Sequence, residues 1–171
     1  MTNRQIMMSA LQKYTFPVLA AQGFTGRHPH FRRKLDNCIE LISFQTNKWG
    51  GSFVIEVSAV FPGSDNPNYR LYEGVTEDTF GVEATGRRHR LPGMYNGWFY
   101  YRDVYRERVS LFRSWYHDVP QKEAADYVPP KGYKLVQKFN GETAVQICRE
   151  VNAQLKDAMK WLADFEMEQA R

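Results

Sequence analysis

The residue types best suited to chemistry are few in this chain: four histidines and two cysteines. His28-Pro29-His30 offers the first possibility. On a strand, positions i and i+2 point the same way, so two imidazoles can face one metal ion. No third ligand lies nearby; folding would have to bring in His89 or His117. Arg27, Arg32 and Arg33 surround the pair and repel a cation, so both read as exposed loop histidines. Cys38 opens an apolar stretch and Cys148 falls on an apolar helical stripe. Both read as small buried hydrophobes, whereas a reactive thiol needs an electropositive, partly open setting. The sequence contains no Gly-x-Ser-x-Gly. His117 and Asp118 are adjacent, which is the wrong arrangement for a relay. Glu56 reads as an ordinary solvated carboxylate with no partner. Lys48-Trp49-Gly50-Gly51-Ser52 lacks the spacing that cradles a phosphate and reads as a hairpin turn. No catalytic residue, metal ligand or cofactor is expected.

Two basic blocks and an aromatic run offer a different kind of chemistry, that of a surface. Arg32 and Arg33 belong to the first block; Arg87, Arg88 and Arg90 form the second. Trp98-Phe99-Tyr100-Tyr101 and Arg102 follow. If the blocks converge on one sheet edge, arginines can meet phosphates while aromatics stack on bases. The same arginines can equally blunt a solvated edge against aggregation. The acidic stretch 65–86 between the blocks opposes nucleic acid. In a strand, alternate aromatics of the run point to opposite faces. Either all of them join the core or its cover, or an outward pair anchors a partner with Arg102, since interfaces favour Tyr, Trp and Arg.

These residues need elements to hold them. Ile6, Met7, Ala10, Leu11, Tyr14, Val18 and Leu19 recur at helical spacing, predicting one amphipathic helix over residues 3–22. Pro17 should kink it or start a new turn, and Gly23 should end it. Residues 28–61 predict antiparallel strands at 30–34, 38–46 and 51–61. In the last, Phe53, Ile55, Val57, Ala59 and Phe61 face one way, as expected of a sheet covered on one side. Residues 62–77 read as loop and 79–85 as a fourth strand. Asp103 is placed to cap a helix carrying Val104, Leu111, Phe112 and Trp115. Residues 133–139 are too short to assign. From Asn140 onward, Ala144, Cys148, Val151, Leu155, Ala158, Leu162 and Phe165 recur at steps of four and three. With Ile147 and Met159 added, the stripe predicts a helix of about 25 residues lying on a sheet rather than in a coiled coil.

The chain has 171 residues, 43% hydrophobic and 15% aromatic, enough for one domain over 1–171 and too aromatic for disorder. Mean hydropathy is −0.58, and no apolar run approaches a membrane span, so no membrane association is expected. The Met1 end shows no apolar signal core, which predicts a cytoplasmic protein with two reduced thiols. Net charge is +4. That is weakly basic beside dedicated nucleic-acid binders.

The order of several short motifs resembles a known family. Pro17-Val18-Leu19-Ala20-Ala21-Gln22-Gly23-Phe24 leads to Phe31-Arg32-Arg33, then to Ile42-Ser43-Phe44-Gln45-Thr46-Asn47 and Phe53-Val54-Ile55-Glu56-Val57. This series is similar to the uncharacterised bacterial family catalogued as domain of unknown function 4304. Arg88-His89-Arg90-Leu91 and Trp98 fit its later positions, and residues 62–86 are longer and more acidic than the pattern. The resemblance implies an α+β domain with an antiparallel sheet; it implies no activity.

The expected fold is therefore α+β: an antiparallel sheet of about four or five strands, with the N- and C-terminal helices packed on one face. The expected function is non-enzymatic binding of another protein, one concrete form being an immunity protein that neutralises a toxin. A nuclease inhibitor is normally acidic, so this basic chain fits a toxin with an acidic surface better. A nucleic-acid-binding module is the alternative reading and an enzyme of unrecognised type the third. The candidate surface is Arg32, Arg33, Arg87, Arg88, Arg90, Trp98, Tyr101 and Arg102.

Overall fold

A computed structural model describes residues 1–61, 79, 81–120, 123 and 126–169. The chain opens with helices α1 (Asn3–Tyr14) and α2 (Phe16–Ala21). Strands β1 (Thr25–Arg27), β2 (His30–Lys34), β3 (Ile39–Thr46) and β4 (Ser52–Val60) follow. A 3-10 turn at Val82–Ala84 precedes β5 (His89–Arg90) and β6 (Phe99–Tyr100). Strands β7 (Asp103–Arg108), β8 (Ser114–Val119) and β9 (Tyr133–Gln137) lead to α3 (Gly141–Gln169). Two antiparallel sheets result among the described residues. The first runs β1-β2-β3-β4-β5, with β6 also on β4; the second runs β8-β7-β9. The class is α+β, as expected, with the second sheet as an addition.

The N-terminal segment is two helices: Pro17 goes with a new start, the second of its two expected effects. Thr2 and Gln5 form a reciprocal capping box at the start of α1. The chain breaks at Thr15, which leaves Pro17 in the first turn of α2, where its missing N–H costs nothing. Gly23 (φ +87°) follows α2, and the Phe24 amide donates back to the Leu19 carbonyl at 3.0 Å. That closure requires a left-handed residue, a conformation glycine adopts without strain.

The sheet and α3 form the core together. Ile42 and Phe44 of β3, with Phe53, Ile55, Val57 and Ala59 of β4, meet the whole α3 stripe from Ala144 to Phe165. Met7, Ala10 and Leu11 of α1 join the same cluster. Asn140 caps α3, accepting from the Thr143 amide at 2.9 Å. The other face of β4 is covered as well, contrary to the one-sided expectation. Val82 of the 3-10 turn packs with Ile39, Leu41 and Val60 in a second cluster. Ser58 is buried there too, donating to the Arg87 carbonyl at 2.6 Å.

Two further sequence expectations change. The helix expected after Asp103 is the β7–β8 hairpin, paired from Asp103↔Val119 to Arg108↔Ser114. Asp103 caps nothing helical; its Oδ1 accepts from the Phe139 amide at 2.7 Å and fixes the approach to α3. The strand expected over 79–85 is, where described, the 3-10 turn. The loop expected over 62–77 lies outside the described residues.

Leu155 is almost fully buried between helix and sheet. Leu155→Ala is expected to cost about 2–5 kcal/mol in chemical denaturation. A loss below about 0.5 kcal/mol would show that the stripe is not core.

Candidate functional site

Most of the arginines in the expected surface are engaged within the fold. Arg33 projects to the helix side of the sheet. It pairs with Glu40, donates to the Gln22 carbonyl at 2.9 Å and lies 4.8 Å over the Phe24 ring. Arg87 pairs with Glu168 near the end of α3 and covers Phe165 at 4.5 Å. Arg88 meets Glu56 at 3.3 Å, and Glu56 also accepts from Gln45 at 2.7 Å. The Glu56 carboxylate is thus partnered, contrary to its reading as solitary. Arg90 lies 5.1 Å over Trp98 and reaches the Gly97 carbonyl at 3.3 Å. Arg102 joins Asp118 at 3.0 Å and the Trp49 carbonyl at 3.1 Å. It crosses directly over Gly51 (φ +82°), where any side chain would collide with the guanidinium.

The two basic blocks do not meet on one edge. Arg32 and Arg33 lie on β2, while Arg90 lies on β5, with β3 and β4 between. Tyr101 leaves the surface altogether: at 6% exposure it packs with Phe53 and Phe139. Phe99 is buried beside it, and Trp98 and Tyr100 stay half-buried. The histidines also separate. His28 lies 6.0 Å from the Phe44 ring on the helix side, and His30 meets Ser43 on the opposite face. Among the described residues no three His, Cys, Asp or Glu side chains group as a metal site.

The surface that sequence reasoning missed is the second sheet. Cross-strand register places Tyr105 opposite His117 and Leu135, and Glu107 opposite Trp115 and Tyr133. These side chains share one face. Tyr127 lies 5.1 Å from Tyr105, and His117 lies 4.9 Å from Tyr133. The Tyr133 hydroxyl donates to Glu107 at 2.7 Å and sits 3.2 Å from His117 Nε2. That hydrogen bond to Glu107 pushes the phenol pKa up. Glutamate, phenol and imidazole lie on an open sheet face, so they fix the rings' orientation rather than enclose a substrate. At the turn, Leu111 is 78% and Phe112 99% exposed, with Trp115 at 45%. The Val109 and Ser110 amides both donate to the Arg113 carbonyl, at 3.0 and 3.1 Å, holding the tip in shape. Exposed Arg106, Arg108 and Arg113 surround it, Arg113 lying 4.7 Å over Trp115. Gln137 anchors this sheet to the first, donating to the Tyr100 and Arg102 carbonyls at 2.7 and 2.8 Å.

Neither cysteine is poised to react. Both are buried. Burial, aided by a hydrogen bond with Glu166, pushes the Cys38 thiol up to about 12. Burial also raises Cys148. Cys38 belongs to a charged cluster where α3 ends against the sheet. Glu40, fully buried on β3, faces Arg33, and Glu166 of α3 meets both Glu40 and Cys38. Burial pushes the Glu166 carboxyl above the ordinary range, and Glu40 adds to the rise. The Cys38 hydrogen bond and the Arg33 charge pull the other way.

The fold and its surfaces define an α+β protein built around one long helix. The family model described as domain of unknown function 4304 matches residues 15–71, the stretch from α2 through β4 and beyond. The four motif segments from Pro17 to Val57 all fall inside that match; the Arg88–Leu91 segment and Trp98 fall outside it. No curated protein and no solved structure matches the chain.

The carboxyl of Glu166 binds its proton more tightly folded than unfolded, so between those two values the native state holds more protons. Its contribution to stability is full below the unfolded value and is lost as pH rises through the folded one. Replacing it by Gln is expected to flatten the fall in stability as pH is raised above about 4.5. Denaturation curves for Glu166→Gln that keep the parent's full pH slope would contradict this.

Proposed function

We propose that the chain is a non-enzymatic protein-binding module that contacts its partner through the β7–β8 hairpin. The single observation behind this is the tip, where Leu111 and Phe112 stand in solvent beside half-exposed Trp115. Leaving such side chains in water forfeits roughly 1.5–3 kcal/mol each, which burial against a partner recovers. Aromatic and arginine side chains dominate interface energetics, and both kinds stand at this tip in Phe112, Arg113 and Trp115. The exposed arginines around the tip suit an acidic surface with an apolar recess. A toxin of that kind, held inactive in the cytoplasm by an immunity protein, is the concrete form we favour. Against the nucleic-acid reading stands the engagement of Arg33, Arg87 and Arg88 with carboxylates.

The test is a Leu111→Ala/Phe112→Ala variant, with a photo-crosslinking residue placed at position 112 of the parent in its native cells. Stability of the variant is expected to stay within about 1 kcal/mol of the parent. The crosslink should capture a defined acidic protein that the variant no longer retains. A variant that retains that protein with equal yield would remove the hairpin as the contact. Submicromolar oligonucleotide binding at physiological salt, abolished by Arg88→Ala, would favour the alternative instead.

A further inference from the structure

The N-terminal helices and the β1–β2 hairpin line an open groove of about 580 Å³. This is within the range of small-molecule sites. Its lining is mixed: Met8, Phe16, Pro17, Phe24 and Phe31 supply the apolar part, and Gln12 lies among them. Among the described residues Arg27 and His28 are its ionisable members, and none that lines it is acidic. A smaller cavity next to it shares Met8 and His28 and adds Arg4. Elsewhere the fold matches Arg33, Arg87, Arg88 and Arg102 with carboxylates. Arg4 and Arg27 meet no carboxylate among the described residues. The His28 ring, half-buried against Phe16 and Phe44, has no hydrogen-bond partner among them either.

We infer that this groove binds a small amphiphilic carboxylate, its apolar body on the phenylalanine walls and its head group on Arg27, His28 and Arg4. An arginine fork matches a carboxylate in two parallel hydrogen bonds. A neutral imidazole supplies a further N–H donor. Burial first, then the charges of Arg4 and His30, hold the His28 pKa below its ordinary value, which keeps that ring neutral and marks a positive local field. A bound anion offsets that field. The inference stands apart from the hairpin surface and does not rest on it.

Octanoate is the probe, with octanol and octylammonium as matched controls, followed by NMR of the His28 ring in the full chain. Octanoate is expected to bind saturably and to move the His28 pKa upward, with both controls at least about tenfold weaker. Arg27→Gln and Arg4→Gln should each weaken octanoate about tenfold, near 1.4 kcal/mol. Both side chains are exposed, and melting curves confirm that the variants fold. Arg108→Gln on the distant hairpin should change nothing. Absence of saturable octanoate binding below its micelle threshold would overturn the inference. So would equal binding of octylammonium, or affinity indifferent to Arg27→Gln.

Discussion

An isolated helix as long as α3 would expose its apolar stripe to water, and β3 and β4 would expose a matching apolar face. Each surface satisfies the other, and the remaining elements take their places from that contact. Residues Ala144 to Phe165 cover about six turns, so the stripe spans the sheet from end to end. The helix α1 then fills the flank with Met7 and Leu11, and its last carbonyl, that of Tyr14, accepts from Asn152 of α3 at 2.9 Å. Paired hydrogen bonds between Gln154 and Gly93, at 2.9 and 3.0 Å, fasten the segment leading to β6 onto the same helix. The second sheet is tied to the rest through that segment, through Gln137 and through Arg102, which joins Asp118 to the Trp49 carbonyl. It therefore inherits its position from these ties without contributing the bulk of the core.

Where α3 ends, the packing turns from apolar to charged. Glu40 is buried inside a face that is otherwise hydrophobic, and removing a carboxylate from water is costly unless it is paired. Arg33 supplies the pair, and the Gln22 carbonyl and Phe24 ring hold the guanidinium in place. One oxygen of Glu166 is buried without a hydrogen-bond partner among the described residues. An apolar replacement would pack more cheaply. The Arg33–Glu40 pair is fixed within the sheet by the β2–β3 register, and α3 brings Glu166 up against it.

The parts of this architecture that follow a single period were legible in the sequence. The α3 stripe and the alternation from Phe53 to Ala59 needed no structure to find, because burial alone dictates them. Gly23 and Asn140 were legible for a different reason: each is nearly obligatory for its backbone geometry. The β7–β8 hairpin was not legible. Val104, Leu111, Phe112 and Trp115 fall at helical intervals, but that pattern carries meaning only if apolar residues are buried. Leu111 and Phe112 are exposed, so the period they suggest is accidental. The local signal was present in the β-prone residues Val104, Tyr105, Trp115, Tyr116 and Val119, flanking the turn 109–113. The carboxylate partners of Arg33, Arg87, Arg88 and Arg102 were not legible for a related reason: composition reports charge, and only the fold reports which carboxylate answers it. β1 has three exposed residues and offers no period at all.

The α3-covered sheet is the foundation that folds and the β7–β8 hairpin the surface proposed to bind, and native-state amide hydrogen exchange on the intact protein addresses that separation most directly. Amides of β3, β4 and α3 are expected to exchange only through global unfolding. Those of the β7–β8 hairpin are expected to exchange through local opening at distinctly lower free energy. If the hairpin amides prove as protected as those of β4, the second sheet is part of the core and the separation is contradicted.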